Sequence, residues 1–317
     1  MPMVDVARGM CQRRWHVARM KCLSMDLAQA LRQAEANKIA LGHFNFSELV
    51  VLRAAVNVAR GMGVPVVVGV SESERAFIGV PQVIALVRSL REELGTPIFL
   101  NADHTHTLAK VEEAVRAGFD SAVVDASQLP FEQNVTQTAR AVEAAKTINP
   151  SFIIEGEIGY VGSGSEIHPT FGPIRLTTAA EAQQFVDETR IDVLAPAVGT
   201  MHGLVPGMLR GESQKHLDVT RIAEIKAATR LPLTLHGASG TNDADLRRGI
   251  DAGITIVHVN SDVRVAWRRG VEQALADHPD EIAPYLLFGE ATSRVGEVIR
   301  GKLTLFSKRC VAASTSA

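Results

Sequence analysis

From Met25 onward the chain alternates short, nearly continuous apolar runs with longer stretches in which apolar residues recur every three or four positions. The runs are Ile39–Phe44, Pro65–Val70, Pro97–Leu100, Ser121–Val124, Phe152–Ile154, Asp192–Val198, Pro232–Leu235 and Ile254–Val259. Short runs without polar alternation are what strands buried on both faces of a parallel sheet look like. Between them, Leu49, Leu52, Val56 and Ala59 step at helical spacing, as do Val111, Ala114, Val115 and Gly118. Gly63, Gly95, Gly118 and Gly253 stand where a helix would end and the next strand begin. Eight βα units predict an α/β fold of the (β/α)8 TIM-barrel type rather than an open doubly wound sheet. Residues Glu281–Phe306 extend the pattern as one or two extra C-terminal helices. A single domain over residues 25–317 is expected.

In a barrel of this type the chemistry gathers at the C-terminal ends of the strands, where the loops converge over one opening. Polar groups stand at the end of every run: His43-Phe44-Asn45, Ser71-Glu72, Asn101 through His104, Asp125-Ala126-Ser127, Glu155-Gly156-Glu157, Gly199 through Gly203, His236 through Gly240, and His258 through Asp262. Three histidines, His104, His202 and His236, come from three different strand ends and so can meet although far apart in sequence. Three imidazoles with a vacant fourth position suit a catalytic Zn2+, which polarises a carbonyl oxygen. Asp103 directly precedes one of them and is the candidate general acid/base. Glycine-bearing loops after the sixth, seventh and eighth runs (Gly199-Thr200, Gly237 to Gly240, Asn260-Ser261) allow backbone N–H groups to approach a phosphate. The long, small-residue stretch from Gly159 to Pro173 suits a mobile lid.

Composition narrows the class. The 317 residues carry 33 Lys+Arg against 35 Asp+Glu, a net charge of −2 that offers no electrostatic footprint for nucleic acid. Hydrophobic residues at 46% and charged residues at 21% are ordinary globular usage, and no apolar run reaches the length of a membrane span. Cys11, Cys22 and Cys310 are too few and too peripheral for a disulfide framework, which points to a reducing, cytoplasmic setting. Residues 1–24 differ from the rest: Arg8, Arg13, Arg14, Arg19 and Lys21 face only Asp5, and no apolar core of a secretory signal is present. They read as a basic, poorly ordered N-terminal extension, or as the result of an upstream start codon with Met25 as the natural start; a basic transit-like leader is the alternative.

Eight segments, in the order of the predicted strands, resemble the class II, zinc-dependent fructose-bisphosphate/tagatose-bisphosphate aldolase family. They are GHFNFSE (42–48), VPVVVGVSE (64–72), NADHTHTL (101–108), AGFDSAVVDASQLPFEQN (117–134), IEGEIGYVG (154–162), LAPAVGTMHG (194–203), LPLTLHGASG (231–240) and VHVNSDVRVAW (257–267). The resemblance implies that His104, His202 and His236 bind zinc. It implies that Asp103 exchanges the C4 hydroxyl proton as the C3–C4 bond breaks or forms, while zinc stabilises the enediolate of dihydroxyacetone phosphate. Asp125 and Glu157 match carboxylates that hold a second or alternative cation position. Asn45, Ser71 and Gly199 fall at substrate-binding positions. The donor phosphate is expected on Gly203, Gly237, Ser239, Asn260 and Ser261, together with a monovalent cation (Na+ or K+). A sugar phosphate as small-molecule partner and a homodimer or homotetramer follow from the same likeness.

The chain also departs from the family pattern. His258 stands where an Asn is usual, and Leu204-Val205-Pro206-Gly207 replaces a loop that carries an aromatic residue and a phosphate-contacting Lys. His106 stands at a position of small residues, and the acidic pair of the lid is reduced to Ser165-Glu166, leaving Glu166 as candidate for donor deprotonation. Arg175 and Arg264 are candidates for the distal phosphate. The leading expectation is reversible cleavage of fructose 1,6-bisphosphate, or tagatose 1,6-bisphosphate, to dihydroxyacetone phosphate and glyceraldehyde 3-phosphate. A changed ketose-phosphate substrate, a non-catalytic sugar-phosphate-binding barrel and a metal-dependent hydrolase are the alternatives. Retention of Asp103 speaks against a pure binder, and the lack of a His-x-His pair on the first strand speaks against the hydrolase.

Overall fold

The chain is described here by a computed structural model that covers residues 25–162, 164–172 and 175–308; the basic extension and the three cysteines lie outside the described residues. Eight parallel strands close into a barrel in sequence order, with the eighth pairing back onto the first. They are β1 (Leu41–Asn45), β2 (Val66–Val70), β3 (Ile98–Thr105), β4 (Ser121–Val124), β5 (Ile153–Ile158), β6 (Val193–Pro196), β7 (Leu233–Leu235) and β8 (Ile254–Val259). Twelve helices accompany them among the described residues: α1 (Leu27–Asn37), α2 (Leu49–Met62), α3 (Glu72–Ile78), α4 (Val80–Leu94), α5 (Leu108–Ala117), α6 (Phe131–Ile148), α7 (Ala179–Thr189), α8 (Pro206–Leu209), α9 (Val219–Thr229), α10 (Asp243–Ala252), α11 (Ser261–Asp277) and α12 (Pro284–Ser307). This is the (β/α)8 TIM barrel with C-terminal helices.

Two hydrophobic cores hold it. The larger lies between strands and helices, where the valines of β2 (Val66, Val68, Val70) meet Leu52, Val56 and Val87. The smaller fills the floor of the barrel: Leu41, Val67, Phe99, Ile153, Val193 and Ile256 point inward, and α1 closes them off with Leu27, Ala30, Leu31 and Ala34. A side chain such as Leu31 buried in this way stabilises the fold by about 1.5–3 kcal/mol. Helix α1 is anchored by a capping box, Asp26 with Gln29. With the floor plugged, polar groups inside the barrel can gather only at the opposite mouth.

Several boundaries differ from those read in the sequence. The C-terminal segment is one 24-residue helix, α12, and it packs against α2, α11 and β1. β5 runs through Ile158, and β3 runs through Thr105 instead of ending at Leu100. Asp103 and His104 therefore lie within a strand, not after one. The reason they escaped the apolar pattern is that an inward-facing strand end at a barrel mouth is polar.

Candidate active site

The two adjacent residues of β3 that carry the chemistry are presented together by a fault in the strand. Ala102 pairs with Ala122 but Thr105 pairs with Val124, so β3 spends three residue steps against two on β4. Such a bulge bends the strand and re-aims its side chains. His104 absorbs it with φ +41°, a left-handed backbone conformation that a non-glycine residue adopts at a cost of about 1–3 kcal/mol. In a regular strand, neighbours would face opposite sides. Here Asp103 and His104 both line the same cavity.

At the centre of the mouth His104, Glu157, His202 and His236 each offer one ligand atom, all within 4.8 Å of one another. Their rings stand edge to face, with centroids 4.8 Å (His104–His202), 5.2 Å (His104–His236) and 5.5 Å (His202–His236) apart. His202 Nε2, His236 Nδ1 and Glu157 Oε2 are buried without any hydrogen-bond partner. Buried polar atoms are nearly always paired, so three unpaired ligand atoms within 4.8 Å of one another fit a cation there. The histidines are oriented from behind. His236 Nε2 lies 2.7 Å from Glu155 Oε1, whose other oxygen accepts from Thr234 Oγ1 at 2.8 Å. His104 Nδ1 lies 2.8 Å from Asp125 Oδ2, and Asp125 Oδ1 accepts from Ser127 Oγ at 2.8 Å. Carboxylate-backed imidazoles are the usual support of metal-ligating histidines. Burial pushes the Glu157 carboxyl up to about 7, helped by the Asp125 charge and opposed by His236 and His104. Burial works against a charge on His104 too, but the surrounding carboxylates, Asp103 foremost, lift it to about 10.

Asp103 is almost fully buried. Its Oδ2 accepts from Asn45 Nδ2 at 2.8 Å, while Oδ1 has no hydrogen-bond partner and faces His258 Nδ1 at 3.5 Å. Burial alone would raise this carboxyl, yet the His104 charge, together with His258 and His43, holds it well below the usual carboxylate range. It is thus an ionised carboxylate with one oxygen fixed and the other free. Behind it, the His43 and His258 rings stack at 3.5 Å, and His258 in turn stacks on His236 at 4.2 Å. His43 is accommodated because Gly69 has no side chain; a Cβ there would lie 2.2 Å from the ring.

The cavity over these groups has a volume of about 510 Å3. It is lined by Asn45, Ser71, Asp103, His104, Asp125, Glu166, His202, Gly203, Gly237, Ser239, His258, Asn260, Ser261 and Arg264, among others. Gly199 does not line it; its φ of +118° packs it on the backbone of the following loop, where a Cβ would meet the His216 carbonyl oxygen at 2.5 Å. The stretch after β5 reaches across the mouth. Asn260 Nδ2 donates to Ser165 Oγ at 3.0 Å, Ser261 Oγ donates to the Ser165 carbonyl at 3.0 Å, and Leu204 N–H donates to the Glu166 carbonyl at 2.9 Å. Glu166 is exposed at this rim. His106, half exposed, lies 3.1 Å through Nδ1 from the Asp125 carbonyl. Arg264 lines the cavity and donates to Glu74 Oε1 at 2.7 Å, whereas Arg175 pairs with Glu181 outside it.

Sequence reasoning did not single out Glu155, Glu74 or Lys215. Glu155 follows a predicted strand directly and could have been paired with His236 from the barrel pattern. Glu74 sits in the first turn of the short helix α3 and Lys215 in a connecting segment, where no periodicity announces an inward side chain. Lys215, nearly fully buried, lies behind the loops after β6 and β7.

Sequence and structure comparisons agree with this geometry. The sequence model of the family described as fructose-bisphosphate aldolase class-II matches residues 25–309, and the chain belongs to that metal-dependent family of carbon–carbon lyases. Among its relatives, the probable fructose-bisphosphate aldolase of Bacillus subtilis (strain 168) is 33% identical over 285 residues, 89% of this chain and 97% of the relative. The fructose-bisphosphate aldolase of Staphylococcus epidermidis (strain RP62A) is 32% identical over 285 residues, 89% of this chain and 96% of the relative. The crystal structure of the YdjI aldolase from Escherichia coli K12 superposes with a TM-score of 0.75 at 24% identity, covering 89% of this chain and 96% of that one, and shares the fold. No helix among the described residues is long and apolar enough to cross a membrane.

Proposed function

We propose that the protein is a zinc-dependent ketose-bisphosphate aldolase that reversibly cleaves fructose 1,6-bisphosphate, or its epimer tagatose 1,6-bisphosphate, to dihydroxyacetone phosphate and glyceraldehyde 3-phosphate. The observation that carries this reading is the convergence of three unpartnered buried ligand atoms, on His202, His236 and Glu157, beside a buried carboxylate with one free oxygen, Asp103 Oδ1. His104, His202 and His236 are the zinc ligands, with Glu157 and Asp125 close enough to serve an alternative cation position. Bound there, zinc supplies Lewis-acid polarisation of the ketose carbonyl.

The remaining work falls to the chain's own groups. Asp103 takes the proton of the C4 hydroxyl as the C3–C4 bond breaks and returns it in the condensation direction. Asn45 fixes the carboxylate by holding Oδ2, so that Oδ1 faces the substrate. Glu166 deprotonates the donor carbon from the rim. Gly203, Gly237, Ser239, Asn260 and Ser261 hold the donor phosphate, and Ser71 and Arg264 stand toward the distal end. The carbonyl groups of the same loops are where a positive charge would sit beneath the phosphate. A homodimer or homotetramer in the cytoplasm completes the reading; Phe77, Ile282 and Tyr285, exposed at 78%, 90% and 79%, supply apolar surface for assembly.

The test is triose-phosphate release from both bisphosphates by purified protein, with chelator and with zinc restored. Zinc-dependent cleavage is expected. Protein that binds zinc in the four-residue cluster yet cleaves neither epimer would remove the proposal.

A further inference from the structure

Lys215 lies in the segment between α8 and α9, and its side chain is nearly fully buried. Its Nζ donates to four backbone carbonyl oxygens: Met201 at 2.6 Å, Gly203 at 2.6 Å, Ser239 at 2.7 Å and Gly237 at 3.0 Å. No carboxylate is hydrogen-bonded to it. Burial lowers its pKa to about 7, with the Asp262 charge opposing, and Phe171 places its ring 5.2 Å from Nζ.

A buried lysine ordinarily meets a carboxylate. Here three N–H bonds are surrounded by four neutral oxygens, more acceptors than an ammonium has donors. That is the coordination of a small spherical cation: a cage of carbonyl dipoles around one positive charge. A neutral amine would set its lone pair against at least one of the oxygens, so the geometry of the cage favours the charged form against the burial that lowers it. The four carbonyls belong to two loops, Met201 and Gly203 after β6, Gly237 and Ser239 after β7. Three of these residues, Gly203, Gly237 and Ser239, also line the cavity on their other side. The loops touch: a Cβ on Gly237 would lie 2.5 Å from the Met201 carbonyl oxygen. Without a cation between them, four carbonyl oxygens would face one another and push the loops apart.

We propose that Lys215 is a built-in cation that fills this carbonyl cage in place of a free monovalent metal ion, fixing the two loops and supplying the positive charge beneath a bound phosphate. This rests on the phosphate-binding reading above. It makes Lys215 a positioning residue, since it acts on the substrate through the loops. It also answers a specific deficit. Among the described residues Arg264 is the one lysine or arginine side chain that lines the cavity, and it is already paired with Glu74.

The experiment compares wild type, Lys215→Ala and Lys215→Met, all zinc-loaded, in potassium, ammonium and choline chloride at equal ionic strength. Thermal melting, the melting shift given by inorganic phosphate, and KM against kcat are read. Wild type should be indifferent to the choice of cation. In choline chloride Lys215→Ala should melt lower, lose the phosphate shift and raise KM about tenfold or more, with a smaller effect on kcat. Potassium or ammonium should restore it, because the vacated cage then admits an ion. Lys215→Met fills the cage without charge and should not be restored. A wild type that needs potassium, or a Lys215→Ala protein that keeps its KM or ignores the cation, overturns the proposal. Should Lys215→Ala not fold, the cation response of the wild type and the failed rescue of Lys215→Met decide it. Melting and phosphate binding require no turnover, so their outcome stands even if neither bisphosphate is cleaved.

Discussion

His258 Nδ1 stands 3.5 Å from Asp103 Oδ1, the one oxygen of that carboxylate left without a hydrogen bond. Burial foremost, with His43 and His236 beside it, lowers the His258 pKa well below its usual value, and His258 is in turn one of the groups that hold the Asp103 carboxyl down. Replacing it removes a lowering influence, and the Asp103 pKa must then rise. For His258→Asn we expect the acid limb of the kcat/KM profile to move to higher pH. An unmoved limb, measured on folded, zinc-loaded protein, would separate His258 from Asp103.

The Glu155–His236 pair gives a metal prediction. Glu155 Oε1 orients the ring through Nε2 and leaves Nδ1 for the metal. Removing such a supporting carboxylate lowers metal affinity by roughly 10–100-fold. Glu155→Gln should therefore lose zinc to a competing chelator at correspondingly lower concentrations, while zinc in excess restores most activity. Equal retention by wild type and variant would assign Glu155 a purely structural part.

Asp103 and His202 should fail in different ways. His202→Ala removes a ligand atom, and both zinc and cleavage should disappear together. Asp103→Ala should keep its zinc by elemental analysis but lose about 10²–10⁴-fold in kcat. Normal turnover by Asp103→Ala would refute its assignment as acid/base group.

Metal binding should carry a pH signature. Glu157, pushed up to about 7, holds a proton in the metal-free protein below that pH. A cation seated among the histidines displaces it together with the proton that His104 holds up to about 10, so zinc affinity should rise through about pH 7 and on toward about pH 10, with net proton release. Calorimetry in buffers of differing ionisation enthalpy reads this directly. The effect on stability has a definite sign. A carboxyl raised from 4.5 favours the metal-free fold below 4.5, and that contribution fades as the pH climbs through about 7. Metal-free protein should thus melt lower at about pH 8 than at about pH 6, a window in which the depressed Asp103 stays ionised throughout.

Arg264 and Arg175 were equal candidates for the distal phosphate in the sequence, and the structure separates them. Arg264→Ala should raise KM for a ketose bisphosphate by about tenfold or more, the loss of a charge-assisted contact. Arg175→Ala, remote from the cavity, should leave KM near the wild-type value. The reverse order in steady-state kinetics would move the distal end of the substrate toward the stretch between β5 and α7.

The barrel was legible because β4 and β8 are short apolar runs bounded by polar residues, and both begin and end where the sequence places them. β3 was read too short because its last residues are chemical instead of hydrophobic, and hydrophobicity was the signal. The bulge between Ala102 and Thr105 leaves no mark in an apolar pattern. The three histidines at strand ends were visible for the opposite reason: topology makes strand ends converge. Glu155 and His43 act through partners on other strands, so their parts emerge only once the register is known. Lys215 had no signal, since a lone lysine in a polar connection reads as solvated surface.

β1 and β8 are the first and last strands, and their pairing sets His43 directly opposite His258. The stacked imidazoles beside Asp103 thus lie on the seam where the two ends of the fold are joined. No fragment lacking either strand can assemble the surroundings of that carboxylate, so activity should appear only with the final closure. The ring signals of His43 and His258 would then report completion of folding from inside the site itself, and a nick that loosens α12 from β1 should silence the protein while leaving most of its helices intact.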